Sequence, residues 1–305
     1  MNVALIIFDD PAETSFYHQD GVNYKLSDNT VYTRPSGIRS IFNTIMPFNG
    51  TFVKASEGFP DMPFDVIFAV MDFVYDPKFV DVLRLKYPNA IILGYTKERS
   101  PLYYTPKHRL DFFNQCDAVA CPYSDGIQHY LQNIVKVQVL PFYYPYDVGG
   151  LRKKYLVHEK RDIIMVGCNP KRGYEQSELF AKEMAKRYEL MVIEKPDFPW
   201  HDWLTLLSSC KICINLETHP EIGQVPIECA ILGIEHIGGI ADAAKELFPW
   251  SATNDVGALR PIVDGILSQK ISYADMALGN VLNRHSYATA IANIANIFIK
   301  LNKKL

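Results

Sequence analysis

The chain has 305 residues, 48% of them hydrophobic and 21% charged, a balance that excludes a disordered or fibrous protein and leaves room for two separately cored domains. A formal net charge of -3 excludes a chain-wide polyanion-binding surface, although six Lys/Arg against the single acid Glu98 between Arg84 and Arg109 mark a local basic excess. No apolar run reaches the roughly 18 residues of a membrane span, and Met1-Asn2 leads directly into Val-Ala-Leu-Ile-Ile-Phe, a first strand rather than a signal peptide. A cytosolic protein is expected.

In chain order, short apolar runs alternate with segments of helical period, the pattern of βα units that feed a parallel sheet. Strands are predicted at Val3 to Phe8, Phe52 to Ala55, Val66 to Val70, Ala90 to Gly94, Ala118 to Cys121 and Val137 to Leu140. Tyr17 to Tyr32 reads as an inserted hairpin turning at Ser27-Asp28-Asn29. Helices are predicted at Gly37 to Met46, Pro77 to Tyr87, Pro106 to Asn114 and Ser124 to Gln132, the last capped by Ser124. The segment Phe142-Tyr-Tyr-Pro-Tyr-Asp-Val-Gly-Gly150 interrupts the period and reads as the linker.

A second series follows, with strands at Asp162 to Val166, Glu189 to Ile193, Ile212 to Leu216 and Glu235 to Ile237. Helices fall at Glu175 to Arg187, Trp200 to Ser208 and Val225 to Leu232. From Ala241 onward the chain reads as helical, and Arg284 to Leu301 carries apolar residues at helical spacing, suited to packing across a domain surface. The expected fold class is α/β, with two Rossmann-like doubly wound domains: residues 1–148, residues 149–283, and a C-terminal crossover helix over 284–305. Such domains place a ligand in the cleft at the carboxyl ends of their strands.

The most informative stretch is Ile212-Cys-Ile-Asn-Leu-Glu217-Thr-His-Pro-Glu-Ile-Gly223-Gln-Val-Pro226-Ile-Glu228-Cys-Ala-Ile-Leu-Gly233. It reads as buried strand, glycine-bearing loop and helix start, an arrangement that offers backbone N–H groups and a helix dipole to an anion. Pro226 and Glu228 suit a first helical turn, so on this ground alone Glu228 is either a ligand-binding carboxylate or a helix-start charge. Six cysteines sit mostly in apolar runs, as reduced core cysteines do, and Cys210-Lys-Ile-Cys213 lacks the second pair that a zinc site requires.

Together with Ile164-Met-Val-Gly167-Cys-Asn-Pro170-Lys171-Arg172-Gly173, Gly238-Gly239-Ile-Ala-Asp-Ala-Ala-Lys-Glu246, Phe64-Asp-Val-Ile-Phe-Ala-Val-Met-Asp72 and Cys116-Asp-Ala-Val-Ala-Cys-Pro-Tyr-Ser124, this stretch resembles the GT-B glycosyltransferases, most closely retaining family 4. The resemblance extends over most of the chain. It implies sugar transfer, with retention of configuration, from a nucleotide-diphosphate sugar to an acceptor hydroxyl. A UDP-sugar is the favoured donor, and no metal or other cofactor is expected. Arg172, with Lys171, would neutralise the pyrophosphate, assisted by N–H groups near Gly223, Gln224 and Val225. Glu228 would accept from the ribose hydroxyls. Arg34-Pro-Ser36-Gly37-Ile-Arg39 looks like a degenerate form of the family's Gly-Gly turn, which puts Gly37 and Arg39 near the donor phosphate.

The departures are also legible. Cys168 stands where the family's first loop carries Arg, Pro220 stands at its first signature acid with Glu221 displaced by one residue, and Asp72 replaces its sugar-contacting histidine. Asp72 and Glu221 are the candidates for work at the transferred sugar or the acceptor hydroxyl. Lys97, Arg99, Tyr103, Tyr104, Lys107 and Arg109 interleave cations with rings, as a nucleic-acid surface does. Small, tyrosine-rich members of the family resemble phage enzymes that glycosylate hydroxymethylated pyrimidines, so DNA is the acceptor considered. A non-catalytic nucleotide-sugar-binding protein and a nucleotide-sugar epimerase are the alternatives on the same fold.

Overall fold

The computed structural model describes residues 1–8, 41, 44–70, 76–95, 106–167, 174–193, 200–216, 222–239 and 241–302. The chain divides into two compact units at Tyr146/Asp147, and it returns to the first unit at Ser286/Tyr287.

The first unit holds six parallel strands: β1 (Val3–Ile7), β2 (Thr51–Lys54), β3 (Val66–Val70), β4 (Ile91–Tyr95), β5 (Ala118–Cys121) and β6 (Gln138–Pro141). Their order is β2-β1-β3-β4-β5-β6. β1, β3, β4 and β5 are buried at every position, which is why they read as unbroken apolar runs: a parallel sheet is covered on both faces. Three helices, α1 (Phe79–Lys86), α2 (Lys107–Gln115) and α3 (Asp125–Ile134), connect the later strands. Ser124 occupies the N-cap of α3 as expected, but its side chain makes no capping hydrogen bond.

The boundary between the units at Tyr146/Asp147 falls inside the predicted linker, and the structure fills that segment with buried rings and a helix. Phe142, Tyr143, Tyr144 and Tyr146 are buried, with the Phe142 ring 5.0 Å from Phe68 and 6.3 Å from Tyr95. The paired glycines lie inside α4 (Val148–Tyr155), whose N-cap Asp147 accepts from the Gly150 N–H at 2.9 Å. The glycines suggested a break in the chain, but an aspartate directly before them satisfies an N-terminal donor and starts a helix instead.

The second unit's parallel sheet consists of β7 (Arg161–Gly167), β8 (Glu189–Ile193), β9 (Cys210–Asn215) and β10 (Glu235–Ile237), in the order β10-β9-β7-β8. Its helices are α5 (Tyr174–Met184), α6 (Trp200–Ser208), α7 (Gln224–Leu232), α8 (Asp242–Leu247), α9 (Val256–Leu267) and α10 (Ala274–Arg284). One core cluster joins Ile164, Val166, Ile212 and Ile214 of the sheet to Phe180 and Met184 of α5 and to Leu259, Val263 and Ile266 of α9. α7 is buried at every position from Pro226 to Leu232 and packs against α4, α6, α8 and α10. A helix apolar on all sides belongs in the interior.

The final helix, α11 (Tyr287–Asn302), belongs to the first unit and packs against β4. Ala290, Ile294, Ile297 and Leu301 form its buried stripe. The inserted hairpin predicted at Tyr17 to Tyr32 lies outside the described residues. Among the described residues, no helix is long and apolar enough to cross a membrane.

Candidate functional site

Strand order reverses between β7 and β9 in the second sheet: the chain places β8 on one side of β7, then crosses to β9 on the other. The register pairs Gly167 with Asn215, so these two strands end side by side. The loops carrying Lys171 and Arg172, and Glu221 and Gly223, therefore leave from neighbouring points at a topological switch, where ligands of open α/β sheets bind. In the first sheet the reversal lies between β1 and β3, and Phe8 N donates to Val70 O at 2.9 Å at their carboxyl ends. The segments that include Gly37, Arg39 and Asp72 follow those two strands. Gly37, Arg39, Asp72, Lys171, Arg172 and Glu221 themselves lie outside the described residues.

Gly223 is the N-cap of α7 and has φ 82°. A Cβ there would lie 2.6 Å from that of Ala241, so the left-handed backbone and the lack of room both call for glycine. Ala243 N donates to Ile222 O at 2.7 Å and ties this loop to the start of α8. Gln224 and Val225 form the first turn, and the leading N–H groups of a helix have no acceptor within it. The neighbouring Gly238-Gly239 turn also has positive φ, 90° and 81°. Its N–H groups are engaged internally, Gly238 with Ser251 O at 2.8 Å and Gly239 with Asn254 Oδ1 at 2.9 Å. This turn shapes the carboxyl edge of the sheet and keeps its own donors.

Glu228 lies one turn into α7 and is only 1% exposed. Trp200 Nε1 donates to its Oε1 at 2.9 Å, and Trp203 Nε1 donates to its Oε2 at 2.7 Å. The two indoles are three residues apart on α6 and so share one helix face. Glu228 is the single charged residue in an otherwise apolar helix, and a buried carboxylate requires donors. The sequence offered no signal for this pairing beyond the i, i+3 spacing of the tryptophans. α6 and α7 are further braced by α4: Tyr155 Oη lies 2.7 Å from His201 Nδ1, and Arg152 donates to Ile231 O at 2.8 Å.

Glu235 is a buried carboxylate that the sequence reading did not single out. Its Oε1 accepts from Ser272 Oγ at 2.8 Å, Tyr273 N at 2.9 Å and Ala274 N at 3.2 Å, and so caps α10. The five described cysteines are buried and form no disulfide with one another. Cys210 and Cys213 both lie on β9. Burial, followed by the hydrogen bond with Cys213, holds the Cys229 thiol well above the ordinary range, which keeps it protonated and unreactive. Among the described residues, no group of three or more His, Cys, Asp or Glu could hold a metal ion.

In the basic and aromatic segment, Lys107 is exposed at the start of α2, whereas Arg109 is buried at 6% exposure. This corrects the exposed basic face: a guanidinium held inside the helix packing is not presented to a phosphate backbone. Lys97, Arg99, Tyr103 and Tyr104 lie outside the described residues.

No protein-family model matches the sequence, and no curated protein matches it. Solved structures do match in fold. Sucrose-phosphate synthase from Thermosynechococcus elongatus superimposes with a TM-score of 0.62 at 12% identity, over 100% of both chains. The α,α-trehalose 6-phosphate synthase of Burkholderia multivorans gives 0.60 at 11%, over 96% of this chain and 81% of that one. The lipopolysaccharide outer core galactosyltransferase WaaB gives 0.56 at 11%, over 98% and 100%.

The chain has the GT-B fold. At these identities the likeness establishes architecture, and the chemistry has to be argued from the site.

Proposed function

We propose that this protein is a glycosyltransferase that moves a sugar from a nucleotide-diphosphate sugar, a UDP-sugar by preference, to an acceptor hydroxyl with retention of configuration and without a metal. The observation that carries the reading is the switch point of the second sheet, where the adjacent ends of β7 and β9 lead into the Lys171-Arg172 loop and the glycine-initiated start of α7. That combination suits a pyrophosphate: cationic side chains on one strand end, helix N–H groups and dipole on the other. Stabilising the departing diphosphate is the main task of such a site, because negative charge builds there as the sugar–phosphate bond breaks. Glu228, one turn further along α7, is the ribose ligand in this reading. The roles of Gly37 and Arg39 at the phosphate, and of Asp72 and Glu221 at the transferred sugar or acceptor hydroxyl, are carried into the proposal from the family resemblance.

The fold matches support this reading without fixing the acceptor, since those three proteins are named for different products. For the acceptor we propose DNA bearing hydroxymethylated pyrimidines, on the strength of the basic and aromatic segment from Lys97 to Lys107.

The test is transfer of label from a panel of nucleotide sugars to hydroxymethyl-pyrimidine DNA, with unmodified DNA and simple sugars as comparison acceptors. Arg172→Ala and Glu228→Ala are each expected to lower kcat/KM by about one order of magnitude or more, as loss of a charged hydrogen bond should. Wild-type kinetics in both variants overturn the assignment. Label on sugars and none on DNA overturns the acceptor alone.

A further inference from the structure

Three glycines mark the carboxyl edge of the second sheet, and the protein's own geometry accounts for two of them. Gly223 and Gly238 have positive φ, and a Cβ on them would lie 2.6 Å and 2.5 Å from a neighbouring side chain. Gly167, at the end of β7, is different. Its φ is not positive, and a Cβ there would lie 3.8 Å from Ile214 O and 3.9 Å from Asn215 Oδ1, ordinary contact distances. Neither backbone nor packing requires this glycine, and a strand-end glycine of that kind suits the close approach of a ligand.

Asn215 stands beside Gly167 in register. Both are half-buried, whereas Val166, Ile214 and Leu216 are fully buried. Side chains alternate across a strand. Ile212, Ile214 and Leu216 pack in the core with α5 and α9, and Cys213 is hydrogen-bonded with Cys229 of α7, so Asn215 lies on the face that α7 covers. α7 joins two parallel strands, β9 and β10, and therefore runs back against their direction. From Cys213 to Asn215 the strand advances about 6.6 Å, and stepping back from Cys229 to Val225 or Gln224 covers about 6–7.5 Å of helix. Asn215 is thus level with the first turn of α7.

The chemistry of the pair narrows the ligand group. In the donor-site reading the diphosphate meets cations and helix N–H groups, and its ionised oxygens have no proton to give to a carbonyl oxygen. The Asn215 atom facing Gly167 is Oδ1, an acceptor, which suits a hydroxyl. Glu228 takes the ribose hydroxyls in that reading, which leaves those of the sugar being transferred. An amide has two donors and two acceptor positions, so it holds a contact within the protein and another to a ligand together.

We propose that Gly167 and Asn215 form the floor of a subsite for the transferred sugar. Asn215 Oδ1 accepts from one sugar hydroxyl, and the missing side chain of Gly167 leaves room for it. The inference deepens the donor-site reading and rests on it.

Calorimetry on the full chain compares UDP, GDP and ADP with UDP-glucose, UDP-galactose, GDP-mannose and ADP-glucose, in wild type, Asn215→Leu, Asn215→Asp and Gly167→Ala. For the best-bound nucleotide, the quantity read is affinity for its sugar relative to affinity for the bare diphosphate. Asn215→Leu removes the acceptor and should lower that ratio by about threefold to tenfold, the size of one hydrogen bond, with diphosphate affinity unchanged. Asn215→Asp keeps an acceptor oxygen. Its added charge repels both ligands through their shared phosphates, so the ratio should stay near the wild-type value. Gly167→Ala should lower the ratio while its thermal midpoint equals or exceeds that of wild type, because alanine fits this backbone and loses less entropy on folding.

A fall in that midpoint shows that the protein itself requires the glycine and overturns the inference. Equal losses for sugar and diphosphate in Asn215→Leu and Gly167→Ala, or no loss for either, overturn the subsite and leave the donor-site reading standing. A wild type that binds none of these compounds overturns the donor-site reading and the inference with it. If Asn215→Leu does not fold, Asn215→Ala carries the same expectation.

Discussion

Glu228 and Glu235 are both buried carboxylates of the second unit, and their partners separate their roles. Glu235 takes a serine hydroxyl and two backbone N–H groups at the start of α10, which is a capping function. Glu235→Ala is expected to cost about 2–4 kcal/mol of unfolding free energy, because three donors lose a charged acceptor in a site that water does not reach. Glu235→Gln should cost much less, and urea denaturation distinguishes the two. His236, the next residue, has neither ring nitrogen hydrogen-bonded and packs 5.6 Å from the Phe248 ring. Burial lowers its pKa from 6.5 to about 3. Between those values the unfolded chain binds a proton that the native state refuses, so this group makes stability fall as pH drops, by about 1.4 kcal/mol per unit. His236→Phe should therefore lose less stability than wild type between pH 7 and pH 5, a difference of about 2 kcal/mol in urea melts. Equal losses in the two proteins would refute the buried neutral imidazole.

At the scale of elements, the carboxyl edge of the second sheet depends on two glycine turns. Gly223→Ala meets Ala241 at 2.6 Å and Gly238→Ala meets Leu216 at 2.5 Å, both from left-handed backbone. Each should lower stability by about 1–3 kcal/mol, which a thermal melt measures. Gly223→Ala should also weaken nucleoside diphosphate binding, since it displaces the first turn of α7. For Gly238→Ala a smaller binding effect is expected, because that turn's N–H groups are used within the protein. Asp147→Ala removes the side-chain cap of α4 and should cost about 0.5–2 kcal/mol. That helix was missed at the sequence level because glycine is a poor helix former. The cost falls in the first turn, where Asp147 compensates for it.

For the whole molecule, the chain leaves its first unit at Tyr146 and returns to it at Tyr287. The returning helix α11 buries Ala290, Ile294, Ile297 and Leu301, and each of the three larger side chains contributes about 1.5–3 kcal/mol. Truncation after Ser286 should therefore destabilise the first unit selectively. Hydrogen exchange is expected to lose protection in β4, on which α11 packs, while β7 and β9 keep theirs. Uniform loss across both sheets would show that the units do not fold as separate cores.

The amino-acid sequence by itself determined the two series of strands and helices, because fully buried parallel strands are continuous apolar runs and their helices carry a 3.6-residue period. It also marked the stretch around Gly223 as a strand, a glycine-bearing loop and a helix start, since glycine and proline punctuate such a junction. Tertiary structure alone decided the strand order, and through it that the ends of β7 and β9 lie side by side. It alone paired Glu228 with indoles 25 and 28 residues away and Glu235 with donors 37 to 39 residues away. Periodicity reports which face of an element is buried. It carries no information about which distant side chain occupies the other half of a hydrogen bond, and in a buried carboxylate that partner decides the role.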